Sequence, residues 1–337
     1  MAGWARNHFM GGGLRLQVSD SRTTAGRSQS LDTDYRARER CARRIYWRLM
    51  GKGVVSVLGL LLRHAGELAR LRQPGAGEQR YARPARRYTL PAPGAGARPR
   101  PSREVYLRPT RLCDPTAPEV VALAQELGAG RLSDRDFAEA AFSFAKEQMT
   151  LEIGPLTDVG TCLRRGTGTC FELISVFIAL CRAAGIPARY KIYAPEMIAA
   201  WREAMIDVDP LLKRWYESLG YLLLEGEGEA YVDGRWMVAH VGPTAERQAA
   251  NGIPITRFGE DSLGVWFHAK PGTIMQPEAL PPGLAAGSLL LHRLSPGSME
   301  RVNVSVQEQI ARGRRVIAAA GGWAAYDARA RDVGAER

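Results

Sequence analysis

Three observations predict an α+β fold. A glycine-rich loop, Arg165-Gly-Thr-Gly-Thr169, runs into an apolar stretch that opens at Cys170 and ends at Gly185-Ile-Pro187. Helical periodicity precedes it between residues 116 and 148. A hairpin follows, with strands 228–232 and 235–241 about Asp233-Gly234, the pair that favours a type I′ turn.

The elements divide the 337 residues into five parts. Residues 1–49 are rich in Arg, Ser, Gly and Thr without a sustained period and read as a disordered arm, with a basic helix possible over 35–50. Three origins fit this arm: an over-extended start ahead of Met50, a tail for nucleic acid or an anionic surface, or an Arg-rich transit peptide. Residues 50–72 crowd Val54, Val55, Val57, Leu58, Leu60, Leu61 and Leu62 into one apolar helix, expected to dock on the main domain. A signal peptide from Met50 would need a cleavage site that the following residues do not supply. Residues 73–103 form a Pro/Gly/Ala/Arg linker, 104–320 the main domain, and 321–337 a polar tail.

Within the main domain, Val120, Val121, Leu123, Ala124 and Leu127 mark a helix closed by Gly128. Ser133-Asp-Arg-Asp136 caps the next, which aligns Phe137, Ala141, Phe144, Ala145 and Gln148. Residues 150–163 read as a loop carrying Cys162, either a buried loop residue or a redox partner. Gly185 stops the helix that starts at Cys170, and a strand follows over 188–193. Residues 195–220, with Trp201, Met205, Trp215 and Tyr216, form inserted helices that either pack or serve as a lid or acyl pocket. A helix near 305–318 precedes the tail.

A cysteine at a helix N-terminus meets unpaired N–H groups and the positive end of the dipole, which favour the thiolate and would also hold an oxyanion. Cys170 is therefore a nucleophile or a small core residue. The segment R-G-T-G-T-C followed by an apolar helix and A-L-C-R-A-A-G-I-P-A-R-Y resembles the nucleophile region of the transglutaminase-like superfamily, which is related to papain-type cysteine peptidases. The resemblance spans about 106–267. It implies a papain/transglutaminase-like core, with the nucleophile helix packed on an antiparallel sheet and a Cys–His–Asp triad.

In that frame Glu229, Tyr231, Gly234 and Trp236 match the family pattern, and the family His and Asp positions hold Glu225 and His240. The resemblance thus implies a site of Cys170, His240 and Glu225 with the last two roles exchanged: His240 as base, Glu225 as its orienting carboxylate. Two other readings fit. The site is inactive and the module binds peptide or protein partners, or another histidine among His8, His64, His268 and His292 serves. Glu225, Glu227 and Glu229 also read as one solvated strand face.

The expected function is acyl transfer or amide hydrolysis through a thioester on Cys170, acting on a peptide, protein or small amide, without cofactor or metal. Residues 1–100 hold 20 Lys/Arg against 6 Asp/Glu and the remainder 26 against 29, so the main domain has no charge suited to nucleic acid. Five cysteines without close pairing suggest a reducing, cytoplasmic setting. No run reaches the ~18 apolar residues of a membrane span. Gly166-Thr-Gly168 lacks the third glycine of a dinucleotide loop. Asp207, Asp209, Glu225 and Glu227 show no cation-ligand spacing. The sequence leaves the oligomeric state open.

Overall fold

A computed structural model describes residues 35–73, 78–92, 101–222, 224–261 and 267–335. The chain opens with α1 (Tyr35–Leu71) and continues with α2 (Pro118–Leu127), α3 (Asp134–Ser143), a π-helical turn (Phe144–Gln148), β1 (Thr150–Leu151), α4 (Val159–Arg165) and β2 (Thr167–Gly168). Then come α5 (Cys170–Ala183), β3 (Ala188–Tyr193), β4 (Pro195–Met197), α6 (Ala199–Met205), α7 (Pro210–Leu219), β5 (Glu225–Val232) and β6 (Arg235–Ala239). The last elements are α8 (Ala245–Ala250), β7 (Phe267–Ala269), α9 (Leu284–Leu294), α10 (Pro296–Ala319) and α11 (Trp323–Ala335).

The core is α5 lying on an antiparallel sheet of order β3-β5-β6, with α2, α3 and α4 packed around the same helix. This is the α+β arrangement expected from the sequence, with a helical layer on an antiparallel sheet. Phe171, Ile174, Phe177, Ile178 and Cys181 are all buried, so α5 is apolar on nearly every side. The helix can press on β5 because that strand alternates glutamate with glycine. A Cβ on Gly228 would sit 2.6 Å from Phe177 Cδ1. The turn that joins β5 to β6 has Asp233 and Gly234 at φ 53° and 78°, the left-handed pair expected from the sequence.

At the far end of α5, buried Arg182 ties the helix to the sheet. Its guanidinium donates to the carbonyls of Ala188 (2.8 Å), Glu278 (2.7 Å) and Arg108 (3.0 Å). A cation there also complements the negative end of the helix dipole.

The structure differs from the sequence reading at both ends. Helix α1 starts at Tyr35, and Ala42, Tyr46 and Leu49 are buried in the main core, so the last third of the arm reading is ordered helix. Its period is hidden because arginines fill the exposed positions between those three residues. The remainder of the arm, 1–34, lies outside the described residues. Residues 78–92 of the linker are held on the domain: Arg83 grips Glu152 (2.8 Å), Arg87 pairs with Glu246 (2.7 Å), and the Tyr88 hydroxyl donates to Leu163 O (2.6 Å). The polar tail is helix α11. Tyr326 and Asp327 are buried on it and bond the backbone of Ile253 and Ile255.

Helix α10 crosses α8 at backbone contact distance. A Cβ on Gly313 would fall inside the carbonyl group of Glu246, so only glycine allows the approach. Gly313→Ala is expected to destabilise the protein by about 1–3 kcal/mol, the usual cost of overpacking. Gly287 of α9 has nothing within 4 Å of its Cβ site, and Gly287→Ala is expected to gain up to about 1 kcal/mol from helix propensity. Urea denaturation of both variants checks the opposite signs.

Candidate active site

The site is built from the start of α5. Thr169 caps the helix and accepts from Glu172 N, while Glu172 Oε2 accepts from Thr169 N at 2.8 Å, a closed capping box. Buried Glu172 is satisfied further by Arg165 Nη2 (3.0 Å), Thr157 N (3.0 Å) and the Thr157 hydroxyl (2.5 Å). Cys170 is thereby fixed as the first helical residue. A Cβ on Gly242 would stand 3.1 Å from Cys170 Cβ, so the 240–243 turn comes against the thiol only because glycine is there.

That turn is anchored from beneath. The π-helical turn directs buried Lys146 at it, and Nζ donates to the carbonyls of His240 and Pro243, each at 3.0 Å. Burial pulls the Lys146 amine down to about 7. Inserted turns of this kind often occur at functional sites.

Glu225 is the carboxyl at the thiol. It lines the same cavity as Cys170, its Oε1 lies 3.6 Å from the Cβ site of Gly242 that Cys170 Cβ approaches to 3.1 Å, and it accepts from Gly226 N at 3.1 Å. Its environment follows from strand register. Across from Glu229 and Glu227, β3 places Arg189 and Lys191, which pair with them at 2.6 and 3.1 Å. Across from Glu225 it places Tyr193. All three glutamates are buried, so the solvated-face reading does not hold: Gln276 bonds Glu229 on that side, and Lys191 bridges Glu227 to Asp261. Burial, with no cross-strand cation, pushes Glu225 up to about 7, against the opposing pull of the Gly226 N–H, the thiol and Arg247.

The thiol departs from the helix-terminus expectation. Burial and the charge of Glu225 push Cys170 well above the ordinary cysteine value, outweighing the Phe171 N–H and Arg247. The resting pair is a thiol beside a carboxyl that titrates near neutrality.

The structure brings Cys170 and Glu225 together and seats His240 by another partner. The His240 Nδ1 atom is 3.8 Å from Glu227 Oε1, and the ring is fully buried. Burial, then Lys146 and Lys191, hold its pKa well below the usual imidazole range, so the ring is neutral. The cavity at Cys170 is lined by Leu151, Ile153, Trp201, Met205, Glu225 and the 242–243 turn, together with Arg247. It offers about 20 Å³, the room of one water. Trp201 and Met205 come from the inserted 195–220 segment, which therefore reaches the thiol.

Arg247 is the site residue that sequence reasoning missed. It lies on α8 at 2% exposure, with Trp201 4.8 Å from its guanidinium carbon and Nε donating to Gln309 of α10 at 3.2 Å. Its one local signal was Gly242-Pro-Thr244, a turn and helix cap just after the position of His240.

Elsewhere, Cys162 is buried on α4 beneath Gly168, and Cys113 and Cys181 are buried in the core. Asp209 caps α7 and pairs with Arg301 at 2.7 Å. Among the described residues no group of three or more His, Cys, Asp or Glu is placed to hold a metal ion, and no helix is long and apolar enough to cross a membrane.

A carboxyl with its folded pKa raised from 4.5 to about 7 contributes stability that is complete below 4.5 and lost as pH rises through 7. Glu225→Gln, which mimics the protonated form, is therefore expected to gain on wild type between pH 4.5 and pH 8, by up to about 3 kcal/mol. Urea denaturation at both pH values measures this. A difference between the two proteins that does not change with pH contradicts it.

The chain was compared with known proteins. Residues 121–221 match the family model described as the transglutaminase-like superfamily core, a segment that contains Cys170 and ends before Glu225. A crystal structure of a candidate cysteine protease from Cytophaga hutchinsonii aligns at 20% identity and a TM-score of 0.30, over 47% of this chain and 46% of that one. The chain thus spans about half the length of that protein. No curated protein matches. The family match therefore covers the helix that carries the cysteine, and β5 with Glu225 and the turn with His240 lie beyond it.

Proposed function

We propose that the protein performs cysteine-dependent acyl transfer or amide hydrolysis through a thioester on Cys170, with Glu225 as the base. The observation that carries this reading is that the Cys170 thiol, at a helix N-terminus, and the Glu225 carboxyl, raised to about 7, line one cavity. A general base works best with a pKa near the working pH, and Glu225 meets that condition where His240, held well below the usual imidazole range, does not. On attack, the thiol proton passes to Glu225 while sulfur bonds the acyl carbon. The N–H groups of the first turn of α5 face the developing oxyanion. The proton then goes from Glu225 to the leaving amine, and water or a second amine resolves the thioester. The acyl donor is a peptide, protein or small amide, admitted when the Trp201–Met205 segment moves off the cavity.

A second reading, an inactive module that binds peptide or protein partners, is favoured by the protonated thiol and the closed cavity. Alkylation distinguishes the two. Iodoacetamide is expected to modify Cys170 faster than Cys181, which is buried on the same helix. The Cys170 rate is expected to climb as pH rises through 7 and Glu225 loses its proton. Glu225→Gln is expected to lower it on the order of 10²-fold, and His240→Ala to lower it less. Equal labelling of the two cysteines, indifferent to Glu225→Gln, supports the binding module.

A further inference from the structure

We infer that Arg247 is a recognition site for a carboxylate on the acyl donor, close to the bond that is broken. This rests on the proposed role of Cys170 and names the substrate class for it. Arg247 lines the same cavity as Cys170 and is 2% exposed. Its Nη2 atom is buried and has no hydrogen-bond partner among the described residues. No carboxylate lies within salt-bridge distance of it among those residues. Glu225, which lines the same cavity, accepts instead from Gly226 N. Its neighbour Glu246 pairs instead with Arg87 and Arg314.

A buried guanidinium with an unused donor is costly unless an anion completes it. This one is nonetheless held firmly, with Gln309 fixing Nε and Trp201 lying against its face. Its position depends on the close packing of α10 on α8 at Gly313. The fold thus fixes one cation, with a donor to spare, beside the thiol. The rest of the lining, Leu151, Ile153 and Met205, is apolar, which suits a short aliphatic arm ending in the carboxylate. The small cavity excludes a phosphate before it excludes a carboxylate. The planar guanidinium donor matches carboxylate geometry.

Two reagents of the same size test this on the intact protein. Iodoacetate and iodoacetamide form the same thioether bond to Cys170 Sγ and release iodide, and differ in carrying a carboxylate or an amide. The ratio of their rates at Cys170, read by peptide mass spectrometry, is expected to fall about tenfold in Arg247→Gln, the worth of one charged hydrogen bond, and less in Arg247→Lys. In wild type, added acetate is expected to slow iodoacetamide at Cys170, and acetamide to leave it unchanged. The acetate arm needs no variant and stands if Arg247→Gln does not fold. If iodoacetamide labels Cys170 but acetate gives no protection and the ratio is the same without Arg247, the carboxylate site is overturned and the nucleophile stands. If neither reagent labels Cys170 in the folded protein, both fall.

Discussion

The position of Cys170 depends on one buried carboxylate, Glu172. Its two oxygens close the helix cap on Thr169 and collect Arg165 and Thr157, so the glycine loop, the segment before α4 and the helix start are locked to one point. A fully hydrogen-bonded buried carboxylate rigidifies its surroundings, whereas a partly satisfied one would destabilise them. With the helix start fixed, the glycines of β5 let the sheet approach, and Gly242 lets the next turn close on the thiol.

The chemistry then follows from a deliberate gap in charge pairing. The outer face of β5 carries three glutamates, and β3 supplies cations to two of them. The third faces Tyr193 and stands at the thiol. Pairing it would hold its pKa low and make it a poor proton acceptor. Leaving it unpaired costs stability and yields a carboxyl that titrates near neutrality. Arg247 stands near enough to moderate Glu225, and it lines a cavity shared with Cys170. Lys146 stabilises the turn on which this geometry rests.

Much of this was legible in the sequence. The loop, the cap and the apolar run marked Cys170, and Asp233-Gly234 fixed the hairpin register. The pairing pattern was present as well, since A-R-Y-K-I-Y lies opposite E-G-E-G-E once both strands are recognised. What obscured it was the assumption that alternating glutamates face solvent. The family frame put Glu225 and His240 at its two further positions; Glu225 lines the cavity of Cys170, and the imidazole of His240 lies 3.8 Å from Glu227. Arg247 had no signal beyond the Gly242-Pro-Thr244 turn before it, because its partners, Trp201 and Gln309, are 46 and 62 residues away in sequence. The docking of residues 35–49 of α1 and of α11 was hidden for a related reason: few apolar residues anchor each, set among arginines.

The account stands on the thiol and the carboxyl at Cys170 and Glu225 sharing one proton economy, and infrared difference spectroscopy reads it directly. The S–H band lost in Cys170→Ser and the carboxyl C=O band lost in Glu225→Gln are followed against pH in the intact protein. The predicted result is a Glu225 carboxyl that loses its proton near pH 7 while the Cys170 S–H band persists through neutrality. A thiol already ionised at pH 7 beside a carboxylate already charged at pH 5 would contradict it.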